Sequence, residues 1–144
     1  MTIRNLFDLT DEVALVTGGA GAIGSEVAKG LAAFGANVVV ADIDLEGAEK
    51  VAHQIEQLGR KSLAIKVDVS QKQEAERLAR SVKDSFGTID ILFNNAGIMR
   101  RYSAEEFPLP EWQEVIQVNL TGIFLVAQAV ANTAMIPQKS GKII

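Results

Sequence analysis

Short apolar runs alternate along the chain with longer stretches in which apolar positions recur every three or four residues. Val13-Ala-Leu-Val-Thr17 is apolar almost throughout and reads as a strand covered on both faces. Ala22–Phe34 has helical composition and runs into Gly35, a residue suited to closing a helix. Asn37-Val-Val-Val-Ala41 predicts a second buried strand. Leu45–Leu58 predicts a helix with Val51, Ile55 and Leu58 on one face and Gly59 as its stop. Ser62–Val67 reads as a third strand. Gln71–Phe86 reads as a third helix, with Ala75, Leu78, Ala79 and Val82 at helical spacing and Gly87 after them. Asp90–Phe93 is a fourth strand. A long helix begins at Pro110, where a first turn tolerates proline, runs to about Met135 and is expected to end at Pro137. Gly141-Lys-Ile-Ile144 reads as the start of a fifth strand.

Strands of this length alternating with helices imply βαβ units and a parallel sheet. Right-handed crossovers then build a doubly wound α/β fold. In such folds ligands bind beyond the carboxyl ends of the strands, where the strand order reverses. Candidate chemistry therefore belongs just after each strand.

Composition narrows the field. The 144 residues suggest one domain, and 48% hydrophobic with 22% charged residues is ordinary for a chain that packs a core. The net charge of −4 gives no basic footprint for nucleic acid. The absence of cysteine excludes disulfides, thiol catalysis and Cys-ligated zinc. The single histidine, His53, excludes a multi-histidine metal site and reads as a surface helix residue. Met1–Asn5 is not followed by the apolar run of a signal peptide, so the expected compartment is the cytosol. Val115–Gln138 carries no charge and is long enough to cross a bilayer. Gln117, Asn119, Thr121, Gln128, Asn132 and Thr133 interrupt it, however, so a long buried helix is expected rather than a span.

The strand ends carry the candidate residues. After the first strand, Gly19-Ala-Gly21-Ala-Ile-Gly24 matches G-x-G-x-x-G, placed between a strand and a helix. Such a loop lets the backbone approach a pyrophosphate, and the helix N-terminus offers free N–H groups. After the second strand stands Asp42, 18 residues beyond Gly24, where a carboxylate accepts from a ribose hydroxyl pair and repels a 2′-phosphate. No Arg or Lys adjoins it, which favours NAD over NADP. The competing role for Asp42 is a helix cap shared with Asp44. After the third strand, Asp68 and Val69 either receive and pack on an adenine, or Asp68 or Ser70 caps the next helix. After the fourth strand, Asn94-Asn-Ala-Gly97 is either a small-residue cofactor crevice or a plain turn.

Taken together these residues resemble the short-chain dehydrogenase/reductase family. Thr17-Gly18…Gly24 is similar to its T-G-x-x-x-G-x-G loop, Asp42 to its NAD-selecting acid, and Asp68-Val69 to its adenine-contacting pair. Asn94-Asn95-Ala96-Gly97 matches its N-N-A-G signature, and Val118-Asn119-Leu120-Thr121-Gly122 its helix segment with an active-site Asn. The resemblance covers Leu6 to Ile144. It implies a Rossmann-type doubly wound sheet over residues 1–144, stopping within the fifth strand, and NAD as cofactor. The implied cofactor-binding residues are Thr17, Gly18, Gly21, Ile23, Gly24, Asp42, Asp68, Val69, Asn95, Ala96 and Gly97, with Asn119 as the catalytic one. The implied reaction is hydride transfer at a secondary alcohol or ketone, in a homo-oligomer that needs no metal. The run N-N-A-G-I-x-R-R is similar to family members acting on sugar acids such as gluconate. Arg100 and Arg101 would then bind a substrate carboxylate, against the plainer role of a solvated basic loop.

Two departures from the family pattern stand out. Ala22 replaces a loop glycine, and its methyl is expected to weaken pyrophosphate binding. The family's Ser and Tyr-x-x-x-Lys have no counterparts: Tyr102 is the only tyrosine and Glu106 stands four positions after it, while Ser103 and Ser140 lie in other segments. The expectation is a chain cut short and inactive alone, in which Asn119 has no relay partner. A non-catalytic dinucleotide-binding or partner-interaction fragment is the alternative.

Overall fold

The structure, a computed structural model, describes residues 6–144; Met1–Asn5, read above as part of a start without an export signal, lie outside the described residues. Five parallel strands form one sheet in the order β3-β2-β1-β4-β5. They are β1 (Val13–Thr17), β2 (Asn37–Asp42), β3 (Ser62–Lys66), β4 (Ile91–Asn94) and β5 (Lys142–Ile143). Helix α1 (Ala22–Ala33) joins β1 to β2, α2 (Leu45–Gln57) joins β2 to β3, and α3 (Lys72–Phe86) joins β3 to β4. A 30-residue helix, α4 (Leu109–Gln138), precedes β5. The connections run outward from β1 to β3 and then return to β4 on the other side of β1. The order therefore reverses between β1 and β4, as a doubly wound α/β fold requires.

A period of two divides each apolar strand between two cores. Leu15, Val39 and Ala41 face α3 and α4, where Leu78, Val82, Val126 and Val130 are buried against them. Ala14, Val16, Val38 and Val40 face α1 and α2, where Ala28, Ala32, Val51 and Ile55 complete the second core. This is why β1 and β2 read as continuous apolar runs. Asp90 ties the amino ends of the central strands, its carboxylate accepting from the Val13 N–H at 2.9 Å. The register continues from Ala14↔Ile91 to Thr17↔Asn94.

Two expectations need correction. First, Pro137 does not end α4; it sits in the last turn, and the stop falls at Lys139, with φ of 56°. Proline lacks the N–H that would bond back into the helix, and the turn before it, Ala131–Met135, is widened into a π-helical turn. Second, α4 is not buried all round. Val126, Ala129, Val130 and Ala134 pack on the sheet and α3, while Trp112, Leu120, Phe124 and Ile136 remain exposed. By length and composition alone this helix could cross a membrane, but it lies along the sheet with one face in the core. β5 pairs with β4 from Ile91↔Lys142 to Leu92↔Ile143.

Glu12 sits at the entry to β1, where burial, and after it the nearby Asp90 carboxylate, raise its carboxyl above the ordinary range. A raised acid disfavours its charged form in the fold, so the fold loses stability as pH rises through that titration. Glu12→Gln should therefore raise the melting temperature at about pH 7, by less than about 4 °C, and leave it unchanged at about pH 3.5. Thermal unfolding followed by circular dichroism at the two pH values checks this.

Candidate functional site

A cleft of about 560 Å3 opens at the carboxyl ends of the strands, where β1 and β4 part. Gly18, Ala20, Gly21, Ala22 and Ile23 form one wall; Asp42, Ile43 and Asp44 follow β2, and Val67, Asp68 and Val69 follow β3. Asn95, Ala96, Gly97 and Ile98 line it from the loop after β4, with Val118 from α4. Most of the residues expected to bind a cofactor thus share one concave surface. Thr17, Gly24 and Asn119 do not line it and act from behind.

Thr17 is the one buried polar residue among the described residues, and it clamps the two diverging loops. Its hydroxyl accepts from the N–H groups of Asn95 and Ala96, at 3.1 and 3.2 Å. The Asn95 amide returns the contact by donating to the carbonyls of Thr17 and Gly18. Gly18 has φ of +63°, and a Cβ there would come within 2.8 Å of the Ala96 backbone. At Gly24 a Cβ would stand 2.2 Å from the Gly18 carbonyl oxygen, so α1 can start close under the loop only without a side chain. Gly21 differs, because a Cβ there would meet only the Gly18 oxygen, at 3.3 Å. Gly18 and Gly24 are therefore demanded by the protein's own packing, whereas the one close contact at Gly21 is less severe.

The first hydrogen bond at the start of α1 runs from the Ser25 N–H to the Gly21 carbonyl. The N–H groups of Ala22, Ile23 and Gly24 therefore have no helical acceptor, and no side chain caps them. No acid occupies the first turn either, so this helix end can hold an anion. Ala22, where a glycine was expected, is exposed there and puts its methyl on the cleft wall.

Asp42 is not the cap of α2; Asp44 is, accepting from the Gly47 N–H at 3.1 Å. Asp42 instead joins β2 to the glycine loop. Its Oδ2 accepts from the Ala20 N–H at 2.9 Å and its Oδ1 from the Asp44 N–H at 3.0 Å. One lone pair remains on each oxygen for a further donor. Asp68 Oδ1 accepts from both the N–H and the hydroxyl of Ser70. The cap position of α3 is Gln71, without a side-chain bond, so neither Asp68 nor Ser70 caps that helix. Val69 is buried against α4 at Gly122.

Asn119 lies in a second widened turn of α4, Gln117–Gly122. Its Oδ1 accepts from the Ile98 N–H at 2.8 Å and its Nδ2 donates to the Ile98 carbonyl at 2.9 Å. Both ends of the amide bond the loop after β4, which makes Asn119 a tether of that loop. Arg100 is likewise committed, to Glu111 and Glu114 at 2.8 Å each. The Glu114 charge, opposed by desolvation and aided by the hydrogen bonds to both carboxylates, pushes its guanidinium above the ordinary value. Arg101 is exposed and makes no ion pair among the described residues. Tyr102 stands outside the cleft in edge-to-face contact with Phe107, which in turn meets Trp112. His53, Glu105 and Glu106 are exposed, as expected.

Sequence reasoning missed Ile43, Asp44, Val67, Ile98 and Val118 as lining residues. Each adjoins a residue that was singled out, and the rule that strand carboxyl ends build the site could have found the first three. Among the lining residues three are carboxylates, Asp42, Asp44 and Asp68, and none is a cation.

The family model described as short chain dehydrogenase matches residues 12–144. The 5-keto-D-gluconate 5-reductase of Escherichia coli (strain K12) is 40% identical over 142 residues, covering 99% of this chain and 56% of that protein. The crystal structure of a short-chain type dehydrogenase/reductase from Mycobacterium marinum superposes with a TM-score of 0.95 at 38% identity, over 99% of this chain and 58% of that one. The structure of an NAD+-bound xylitol dehydrogenase superposes with a TM-score of 0.91 at 33% identity, over 94% and 52%. The chain thus spans about half the length of the relatives it matches.

Thr17→Val should lower the unfolding free energy by about 1–3 kcal/mol, because the Asn95 and Ala96 N–H groups lose their acceptor. Thr17→Ser, which keeps the oxygen, should lose clearly less. Urea denaturation of the two variants checks the difference.

Proposed function

The chain belongs to the short-chain dehydrogenase family, and from that premise we propose that it holds the dinucleotide of an NAD-dependent oxidoreductase acting on a secondary alcohol or ketone. The observation that carries the choice of NAD is the charge of the cleft. Among the described residues three carboxylates and no cation line it, so a 2′-phosphate would meet repulsion without a counter-charge from them. Asp42 has lone pairs to spare for a ribose hydroxyl pair, and the Ala20 and Asp44 N–H groups hold it in place. The unpaired N–H groups at the start of α1 would hold the pyrophosphate, and Gly21 presents it with no side chain. Asp68 and Val69 would take the adenine. The loop Asn95–Ile98, tethered by Thr17 and Asn119, would face the nicotinamide end. When bound, that ring supplies hydride acceptance and donation.

Proton transfer needs a further group. No tyrosine, lysine, serine or histidine is among the lining residues, so we assign cofactor binding, and not acid–base work, to this cleft. The same observation favours a second reading, a non-catalytic module that binds the dinucleotide without turnover. For the substrate we propose a sugar acid, on the likeness to the Escherichia coli 5-keto-D-gluconate 5-reductase. Arg101, exposed and without an ion pair among the described residues, is then the candidate for its carboxylate, Arg100 being engaged by Glu111 and Glu114. The same reading places the protein in the cytosol and, through the exposed apolar face of α4, in a homo-oligomer.

Asp42→Ala should weaken NAD binding about tenfold and raise the relative affinity for NADP. Titration calorimetry with both dinucleotides measures this, and unchanged affinity and selectivity would remove Asp42 from the site. In a form that turns substrate over, Arg101→Ala should raise KM for a sugar acid about tenfold and leave a neutral polyol almost unaffected. Equal effects on both would sink the carboxylate assignment. Binding of NAD without turnover of any alcohol by the native protein would favour the non-catalytic module.

A further inference from the structure

The widened turn Gln117–Gly122 of α4 grips both sides of the cleft. Asn119 holds the Ile98 backbone on one side, as described above. On the other side the Gln117 amide donates to the Ser70 carbonyl at 2.9 Å, a contact between positions 47 residues apart. Val118, between the two, lines the cleft. Gly122 completes the contact, because a Cβ there would stand 3.0 Å from Val69 Cγ2 and 3.2 Å from the Val69 carbonyl.

The Gln117 bond reaches the cleft through a short chain of contacts. Ser70 donates both its N–H and its hydroxyl to Asp68 Oδ1, at 3.0 and 2.6 Å, so Ser70 and the Asp68 carboxylate move together. A second hold on the segment comes from α3, where the Glu74 carboxylate accepts from the Asp68 N–H at 3.3 Å. Arg77 steadies Glu74 at 3.1 Å and also donates to the Lys66 carbonyl. The segment Asp68–Ser70 is thus held by α3 at its start and by Gln117 at its end. Gln117 is itself exposed and lies outside the cleft.

We propose that Gln117 is a positioning residue for the adenine end of the dinucleotide, acting through Ser70 on Asp68 and Val69. The inference rests on the cofactor reading above. It also makes one turn of α4 set the placement of both ends of the cleft, through Gln117 at one and Asn119 at the other.

The test is titration calorimetry of the chain with NAD, AMP and nicotinamide mononucleotide, for the wild type and three variants. Gln117→Ala should weaken NAD and AMP by about three- to tenfold and change nicotinamide mononucleotide by less than about twofold. Gln117→Glu, which sets a carboxylate against the Ser70 carbonyl, should lose at least as much. Gln117→Lys, which can donate to that carbonyl, should recover most of the loss. Without any ligand, amide hydrogen exchange across residues 68–71 should quicken in Gln117→Ala and slow again in Gln117→Lys. AMP affinity unchanged in Gln117→Ala, or equal losses for AMP and nicotinamide mononucleotide, would overturn the inference while leaving the cofactor reading intact. A wild type that binds neither NAD nor AMP would overturn that reading and the inference together.

Discussion

The reciprocal hydrogen bonds of Thr17 and Asn95 hold two loops together at the point where the sheet's connections change direction. β1 feeds a crossover toward β2 and β4 one toward β5, so the loops after them must part. A gap between diverging loops exposes backbone groups that would otherwise lie in the core. Here the Thr17 hydroxyl satisfies two of them, and the Asn95 amide satisfies the carbonyls of Thr17 and Gly18. The cleft keeps its shape because these hydrogen bonds tie its floor together, although the buried Asn94 amide nitrogen beside Thr17 has no partner among the described residues. The glycines follow from the same constraint: Gly18 and Gly24 permit the close passage of loop, helix and Asn95.

The charges of the cleft are arranged along it. The start of α1 presents N–H groups with no acidic neighbour in the first turn, while the ends of β2 and β3 present Asp42, Asp44 and Asp68. An anion is favoured at one place, and hydroxyl and amino donors at the other. The asymmetry comes from backbone direction as much as from side chains, since parallel strands feeding right-handed crossovers put helix starts and strand ends on one rim. The central turn of the long helix α4 contacts the loops after both β3 and β4.

Some elements were legible residue by residue. β1 was expected at Val13–Thr17 and is found there, and α3 ends at Gly87, where φ of +80° suits glycine. Asp42 was legible because an acid at the end of the second strand has a position that spacing alone predicts. α4 was harder to read. Its uncharged run suggested burial on all sides, yet hydropathy does not tell which neighbours will be present, and Trp112, Leu120 and Phe124 are exposed. Pro137 suggested a stop, yet the wider turn before it lets the helix pass to Gln138. The ion pairs of Arg100 were not legible, because its partners, Glu111 and Glu114, follow 11 and 14 residues later on another element.

The sequence by itself determined the alternation of strands and helices, the doubly wound class, the glycine loop and the acids at the strand ends. Those are properties of local period, turn chemistry and spacing, which act over a few residues. Only the tertiary structure decided that Thr17 and Asn119 serve as tethers, that Arg100 is taken, and that Gln117 reaches Ser70. Each of these depends on which donors and acceptors packing brings within 3.5 Å, across separations of 11 to 79 residues. A hydrogen bond needs that proximity and alignment, and no pattern along one stretch of chain encodes it.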